Sequence, residues 1–584
     1  MKAKFVLLAG LVCLAACDSD SRSSSDNTIS EGTFGSLLEQ VKAPASVTEP
    51  TASTPDNNGS TPAVVIPVDE EARVAGLYDA IAPKDNVVND PNKYDNGPLE
   101  LSAVDETPGT KRHKMTLHGK TVWFTATAGH LIAYGQKDAQ NSGKKDPQAS
   151  IFYEAYTRDD LPKENRSVTF LFNGGPGSAS IWLHLGAWGP KRLKVDSPNI
   201  PESAQNAPPE ALPLVDNDLT LLDQTDLVFV DAISTGYSKA IKPHTDSDFQ
   251  GVDTDAKLIR DFITSYNNKN NRQSSPKYIY GESYSCIRVP IVAKLLQDAG
   301  TTNFDADKSG KPANILSGII LNSPILDYES NVDSDGKFST NAGALPTYAM
   351  IADYHKHLRG TSTLASYADQ ARRFSFNKFA PLLKKYRNEN APYDKWKIDN
   401  PTAEDTTVLN GLAALTGVVA SAWQADLNMW PTPFRDNLMP DFALGYYDGR
   451  LKIKDHKYSP DNYEKTAFAN EIQKLLPEFL NYTNETKYAL KGRSWTTDGH
   501  ASSLPDLTQA LTNDPDMKVL IVHGYYDMAT PFYQTELDLS GAGLNIPVHM
   551  FEGGHMIYYS EAARAPLKKL IDEYYVPSVV TASN

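Results

Sequence analysis

The chain carries only three cysteines in 584 residues: Cys13, Cys17 and Cys286. The first two fall in a short N-terminal segment that reads as a targeting device. Removal of Cys13 and modification of Cys17 would leave Cys286 alone, so no intramolecular disulfide forms and stability must come from core burial. Positive charge is also short, with 56 Lys and Arg against 72 Asp and Glu, a net of −16. No basic stripe interrupts the acidic background, which excludes nucleic acid as a partner because phosphate contacts need clustered cations. The surplus serves solubility. None of the 12 histidines stands in an H-E-x-x-H pair. The run Asp305-Ala306-Asp307-Lys308-Ser309-Gly310 begins like a calcium loop, but its twelfth position is Leu316 rather than Glu. No metal and no cofactor is implied. Beyond the N-terminus no apolar run approaches the ~20 residues of a membrane span, and no internal repeat is visible.

Lys2 and Lys4 precede an apolar stretch over residues 5–16 that is too short to span a bilayer. It ends in Leu14-Ala15-Ala16-Cys17, which resembles the bacterial lipobox, where the cysteine is lipidated and becomes the first residue. Residues 1–17 are therefore expected to be a lipoprotein signal peptide and Cys17 the lipidation site. The expected location is the cell envelope, facing the periplasm or the cell surface, with acyl chains holding the protein to a membrane. Residues 18–69, rich in Ser, Asp, Asn, Thr and Pro, cannot bury enough surface to order themselves and read as a disordered tether. A transient helix is expected over 34–41, and a first helix of the folded part over 70–81.

The folded part is well supplied with aromatics, including 29 tyrosines, as suits a cleft-bearing protein. Residues 114–133 read as antiparallel β-structure broken at Gly119 and Gly129. Strands follow at 149–156 and 168–172. Short apolar runs at 227–230, 278–280, 317–321, 519–522 and 548–551 have the character of buried parallel strands. Helical patterns lie between them, as at 253–266 with Leu258, Ile259, Phe262 and Ile263. Initial hairpins followed by alternating strands and helices indicate an α/β fold. The alternation is expected to occupy 70–326 and 506–580. Residues 327–505 break it and read as an inserted, largely helical cap, with helices near 346–357, 364–374 and 408–427.

The chemistry centres on Tyr278-Ile279-Tyr280-Gly281-Glu282-Ser283-Tyr284-Ser285. A short strand leads to Ser283. A helix follows, marked by Ile287, Ile291, Leu295 and Leu296 and closed by Gly300. Pro290 fits this helix only in its first turn or at a kink. A serine at such a junction is a nucleophile elbow, although the last position of G-x-S-x-G is here Ser285; an ordinary strand-to-helix turn is the alternative. A serine nucleophile needs a base and a group to orient it. The apolar run 519–522 leads to Asp527, and the run 548–551 leads to Gly553-Gly554-His555. The order Ser283, Asp527, His555, with carboxylate and imidazole each following a late strand, is that of α/β-hydrolases.

Several separated motifs over about 113–570 together resemble the serine carboxypeptidase family of α/β-hydrolases. Phe172-Asn173-Gly174-Gly175-Pro176-Gly177-Ser178 is similar to its N-G-G-P-G loop, and 227–238, with Asp231, Gly236 and Ser238, to its second signature. Gly281-Glu282-Ser283-Tyr284, His523-Gly524 with Asp527, and Gly554-His555 complete the set. The resemblance implies an α/β-hydrolase fold: a mostly parallel central sheet, N-terminal antiparallel strands and the cap. It implies peptide substrates, Ser283 as nucleophile, His555 as general base then acid, and Asp527 as the group fixing the imidazole. It further implies an oxyanion hole from the N–H groups of Gly175 and Tyr284, and a substrate-carboxylate site from Asn173, Gly174 and Glu282. Gly-rich loops also cradle phosphates, but this one lacks the G-K-[ST] ending. The chain departs from the family where a second Glu is replaced by Ala187, and where Ser285 and Cys286 stand in place of glycines. An esterase or acyltransferase on the same triad is therefore the rival to a carboxypeptidase. A binding protein with a dead site is a further alternative, opposed by the complete triad.

Overall fold

The computed structural model describes residues 84–135, 145–159, 166–331, 342–388, 395–492, 495–496 and 499–575. The expected signal peptide with Cys17, the tether and the helices at 34–41 and 70–81 lie outside them.

A ten-stranded sheet organises the molecule. In chain order its strands are β1 (Gly109–Leu117), β2 (Lys120–Gly135), β3 (Asp146–Arg158), β4 (Ser167–Phe172), β5 (Thr225–Val230), β6 (Lys239–Ala240), β7 (Lys277–Glu282), β8 (Gly318–Asn322), β9 (Lys518–Gly524) and β10 (Val548–Phe551). In space the order is β10-β9-β8-β7-β4-β5-β3-β2-β1, with β6 beside β3. The strands from β5 through β10 in that row run parallel, while β1, β2 and β3 are antiparallel to their neighbours. This is the α/β-hydrolase arrangement expected from the strand pattern.

The hairpin β1–β2 turns on His118 and Gly119, both at positive φ (51° and 77°), the two-residue geometry whose twist suits paired strands. Gly129, expected to end a strand, instead lies within β2 opposite Tyr153. A Cβ there would come within 3.0 Å of Pro108. It marks a close backbone approach rather than a break.

The parallel strands are apolar on both faces because both faces are covered. Tyr278 and Tyr280 of β7 join Leu227 and Phe229 of β5 in one core, while Ile279, Val228 and Val230 enter another. The second core is closed by α1 (Val252–Asn270) and α2 (Ser285–Ala299). Gly300 ends α2 at φ 57°, its N–H donating to the carbonyls of Leu296 and Gln297. Pro290 sits inside α2, past its first turn. Its missing N–H would have satisfied the carbonyl of Cys286; the buried Ser503 hydroxyl lies 3.3 Å from that oxygen instead.

The region between β8 and β9 divides in two. Helices α3 (Leu345–Lys356), α4 (Leu364–Phe374) and α5 (Ala403–Thr416) build a core of their own with Trp423, Phe434, Tyr525 and Phe532. The expected helix at 408–427 is two, parted by Gly417 in the left-handed region. By contrast α6 (Lys465–Leu480) lays Phe468, Ile472, Leu475 and Leu476 on the first face of the sheet, together with Leu567 and Ile571 of the C-terminal helix at Glu561–Tyr575. None of the described helices is long and apolar enough to cross a membrane.

Candidate active site

The carboxyl ends of β4, β7, β8, β9 and β10 bring the site together. Ser283 links β7 to α2 with φ 62°, a left-handed conformation that a side-chain-bearing residue adopts only under constraint. The constraints are visible. The Ser283 N–H donates to the Asn322 carbonyl at the end of β8 (3.0 Å), and its carbonyl accepts from the Cys286 N–H (2.9 Å). Gly281 is required because a Cβ would sit 2.8 Å from Val289 of α2. Ser283 is half-buried, while Glu282, Asp527 and His555 are buried.

Asp527 and His555 meet at 2.7 Å, Oδ2 to Nδ1. Oδ1 of Asp527 accepts from the N–H groups of Ala529 (2.9 Å) and Thr530 (3.1 Å), and the Thr530 hydroxyl reaches Oδ2 at 2.7 Å. This carboxylate is held rigidly, and it fixes the His555 tautomer with the proton on Nδ1, leaving Nε2 as acceptor. The two loops that carry the pair touch at Gly524, where a Cβ would lie 2.2 Å from the Gly554 carbonyl. The His555 N–H donates to the Tyr447 carbonyl (2.6 Å), and the Tyr447 ring lies against the imidazole at 5.2 Å. Asn322 ties both halves together: its carbonyl holds Ser283, and its amide donates to the His555 carbonyl (3.2 Å) and to Glu282 (3.2 Å).

The Gly-rich loop lies directly against the elbow. A Cβ on Gly174 would fall 2.6 Å from the Glu282 carbonyl and 2.8 Å from the Ser283 Cβ. Gly175 follows at φ 112°. Among the described residues the N–H groups of Gly175 and Tyr284 donate no hydrogen bond, and the latter sits at the N-terminus of α2, where the helix field favours an anion. Asn173 donates to Glu282 (2.8 Å), and its own Oδ1 accepts from the Leu183 N–H (2.9 Å). Burial pushes the Glu282 carboxyl up to about 7, with His555, Tyr558 and Asn173 drawing it part of the way back. Ala187 is buried in the turn at His184–Trp188.

The second signature supports this loop rather than touching substrate. Asp231 accepts from the Ser180 N–H (2.9 Å) and the Tyr488 hydroxyl (2.7 Å), and Gly236 leaves room where a Cβ would overlap the Asp231 carboxylate. Ser285, expected as a departure, has a use: its hydroxyl donates to the Asn173 carbonyl (2.7 Å) and accepts from Arg288 (2.7 Å). The buried Arg288 in turn pairs with Asp255 at 2.5 Å. Sequence reading found Ser283, Asp527, His555, Asn173, Gly174, Gly175, Glu282 and Tyr284, and the structure brings all of them to one place. It missed Asn322, Thr530, Tyr447 and the Asp255–Arg288 pair, none of which belongs to a motif. Strand-end position was the only available signal for Asn322.

A strained serine between strand and helix, a carboxylate–imidazole pair and a facing Gly-rich loop define an α/β-hydrolase of the serine type. The family model described as serine carboxypeptidase matches residues 119–551, most of the chain, and the chain belongs to that family. A curated relative, serine carboxypeptidase-like 16 of Arabidopsis thaliana, is 26% identical over 201 residues, 34% of this chain and 41% of that protein. The match thus spans about two-fifths of the plant protein's length. Among solved structures, the prohormone-processing carboxypeptidase Kex1Δp of Saccharomyces cerevisiae is 14% identical, with 83% of this chain and 96% of that chain covered and a TM-score of 0.47. A carboxyl esterase of Bacillus coagulans is 12% identical, with 76% and 97% covered and a TM-score of 0.32.

Proposed function

We propose that the protein is a serine carboxypeptidase that removes C-terminal residues from peptides through an acyl-enzyme. Ser283 Oγ attacks the last peptide carbonyl while its proton passes to His555 Nε2. The C–N bond then breaks, and the proton leaves with the amine of the released residue. Water, deprotonated by the same imidazole, cleaves the acyl ester and restores Ser283. Asp527 stabilises the imidazolium formed in each half-reaction. The N–H groups of Gly175 and Tyr284 receive the oxyanion, and Asn173, Gly174 and Glu282 hold the substrate's free carboxylate. The observation that carries the reading is Glu282 itself. A buried carboxyl beside the nucleophile, poised to keep its proton near neutrality, can bind a second carboxylate that an ionised one would repel.

Ala187 favours a second reading, an esterase or acyltransferase, because no second acid supports Glu282 there. Fluorophosphonate labelling at Ser283, followed by turnover of matched peptide and ester substrates on one preparation, separates the two. Faster peptide cleavage supports the carboxypeptidase, and ester turnover alone supports the rival.

The cell-envelope location is part of the proposal and rests on Leu14-Ala15-Ala16-Cys17. Mass spectrometry of the mature N-terminus should find an acylated Cys17, and Cys17→Ser should release the protein from membranes or leave it unprocessed. An unacylated terminus at another residue contradicts the anchor.

A further inference from the structure

A second buried carboxyl, Glu464, stands beside the site and outside every motif. It lies at the start of α6, is 6% exposed, and lines a cavity of about 20 Å³, room for one water-sized group. The other walls include Val195, Leu451, Met556 and Tyr559, and Tyr447, whose ring covers His555. Three carboxyls face this cavity, and two are already engaged. Asp448 pairs with Arg450 (2.8 Å) and accepts from the Ser197 hydroxyl (2.7 Å), and Asp461 accepts from the N–H groups of Tyr446 (2.8 Å) and Tyr447 (3.0 Å). The Glu464 carboxyl meets only its own backbone N–H; among the described residues it makes no side-chain hydrogen bond or ion pair. No cation lines the cavity. Lys465 and Lys491 act on Glu464 from further off, and the Lys465 ammonium is bound to Asn462 Oδ1 (2.5 Å).

An unpartnered buried carboxyl costs stability unless a ligand completes it. The negative walls call for a cation, and the space suits a primary ammonium better than a planar guanidinium. Position says which part of a substrate would supply it. Tyr559 forms one wall, and both Glu464 and Glu282 act on its phenol, so the cavity adjoins the place where the free carboxylate is held. It also shares Tyr447 with His555, the group that protonates the departing amine.

We propose that Glu464 forms a subsite for the side chain of the substrate's C-terminal residue and selects a primary ammonium, so that peptides ending in lysine are preferred. The inference rests on the carboxypeptidase reading above. The test compares kcat/KM for N-blocked peptides differing only in a terminal lysine, norleucine or glutamate, on the wild type and on Glu464→Gln. A charge-assisted contact in a partly dry cavity should favour lysine over norleucine by on the order of tenfold. Glu464→Gln should bring that ratio to near one, and because the ratio is taken within each protein, a general loss of rate cannot imitate the effect. If norleucine peptides are cleaved but lysine holds no advantage in the wild type, or keeps it in Glu464→Gln, the subsite is wrong and the carboxypeptidase reading stands. If no peptide loses its terminal residue although Ser283 is labelled, both fall. A preference for terminal glutamate would assign Lys491 and Lys465 the recognition and overturn the role of Glu464.

Discussion

The protonation of Glu282 should set how well the enzyme handles a free C-terminus at each pH. Burial raises this carboxyl from 4.5 to about 7, a difference worth about 3 kcal/mol between its two forms. Below pH 7 it is mostly protonated and donates a hydrogen bond to the substrate's carboxylate. Above pH 7 it is ionised, and two like charges must share a dry pocket in which Ala187 supplies no second proton. The assay measures kcat/KM from pH 5 to pH 9 for one peptide with a free terminus and for its amide. Taking the ratio removes the titration of His555, which both substrates need alike. The ratio should be flat at low pH and fall about tenfold per unit well above the Glu282 titration. In Glu282→Gln, a neutral donor at every pH, the ratio should not change. Coinciding wild-type profiles for free and amidated peptides would refute the role of Glu282. The same shift has a stability consequence. The folded state holds this proton more tightly than the unfolded chain, so stability is greatest below about pH 4.5 as far as this group is concerned and falls as pH rises towards 7. Glu282→Gln should therefore gain stability over the wild type at pH 8 by up to about 3 kcal/mol in urea unfolding, with the gain vanishing near pH 4.

Other consequences can be checked on the same preparation. Asp527→Asn should leave the fold intact but lose on the order of 10⁴ in kcat, because His555 is no longer held in the Nδ1–H tautomer; single-turnover kinetics would show it. Arg288→Met should strand the buried Asp255 and cost about 3–5 kcal/mol in denaturant unfolding. Gly174→Ala places a methyl 2.6 Å from the Glu282 carbonyl, so the Gly-rich loop must retreat from Ser283. Activity should drop far more than the melting temperature, as read by kcat/KM beside calorimetry.

The parallel strands were legible because each is apolar on two faces and ends at a polar loop. Leu227 to Val230 and Val548 to Phe551 show this directly. The serine, carboxylate and imidazole followed from the loops after three such strands. Gly129 misled because a glycine in a strand signals either a break or a close approach, and only the position of Pro108 decides between them. Helix α6 has an amphipathic sequence like those of the cap, and nothing local says that its apolar side meets the main sheet. The partners of the site were hidden for the same reason. Asn322, Thr530 and Tyr447 act through backbone groups brought close by the fold, and Arg288 finds Asp255 across two packed helices. Glu464 became notable only when its neighbours proved to be occupied.

The most direct test of the account is a timed digest of a peptide with a free C-terminus, read by mass spectrometry, with purified wild type and Ser283→Ala. The account requires a ladder of products shortened one residue at a time from the C-terminus with the wild type, and none with Ser283→Ala. Internal cleavage, hydrolysis of esters alone, or an equal ladder from Ser283→Ala would contradict it.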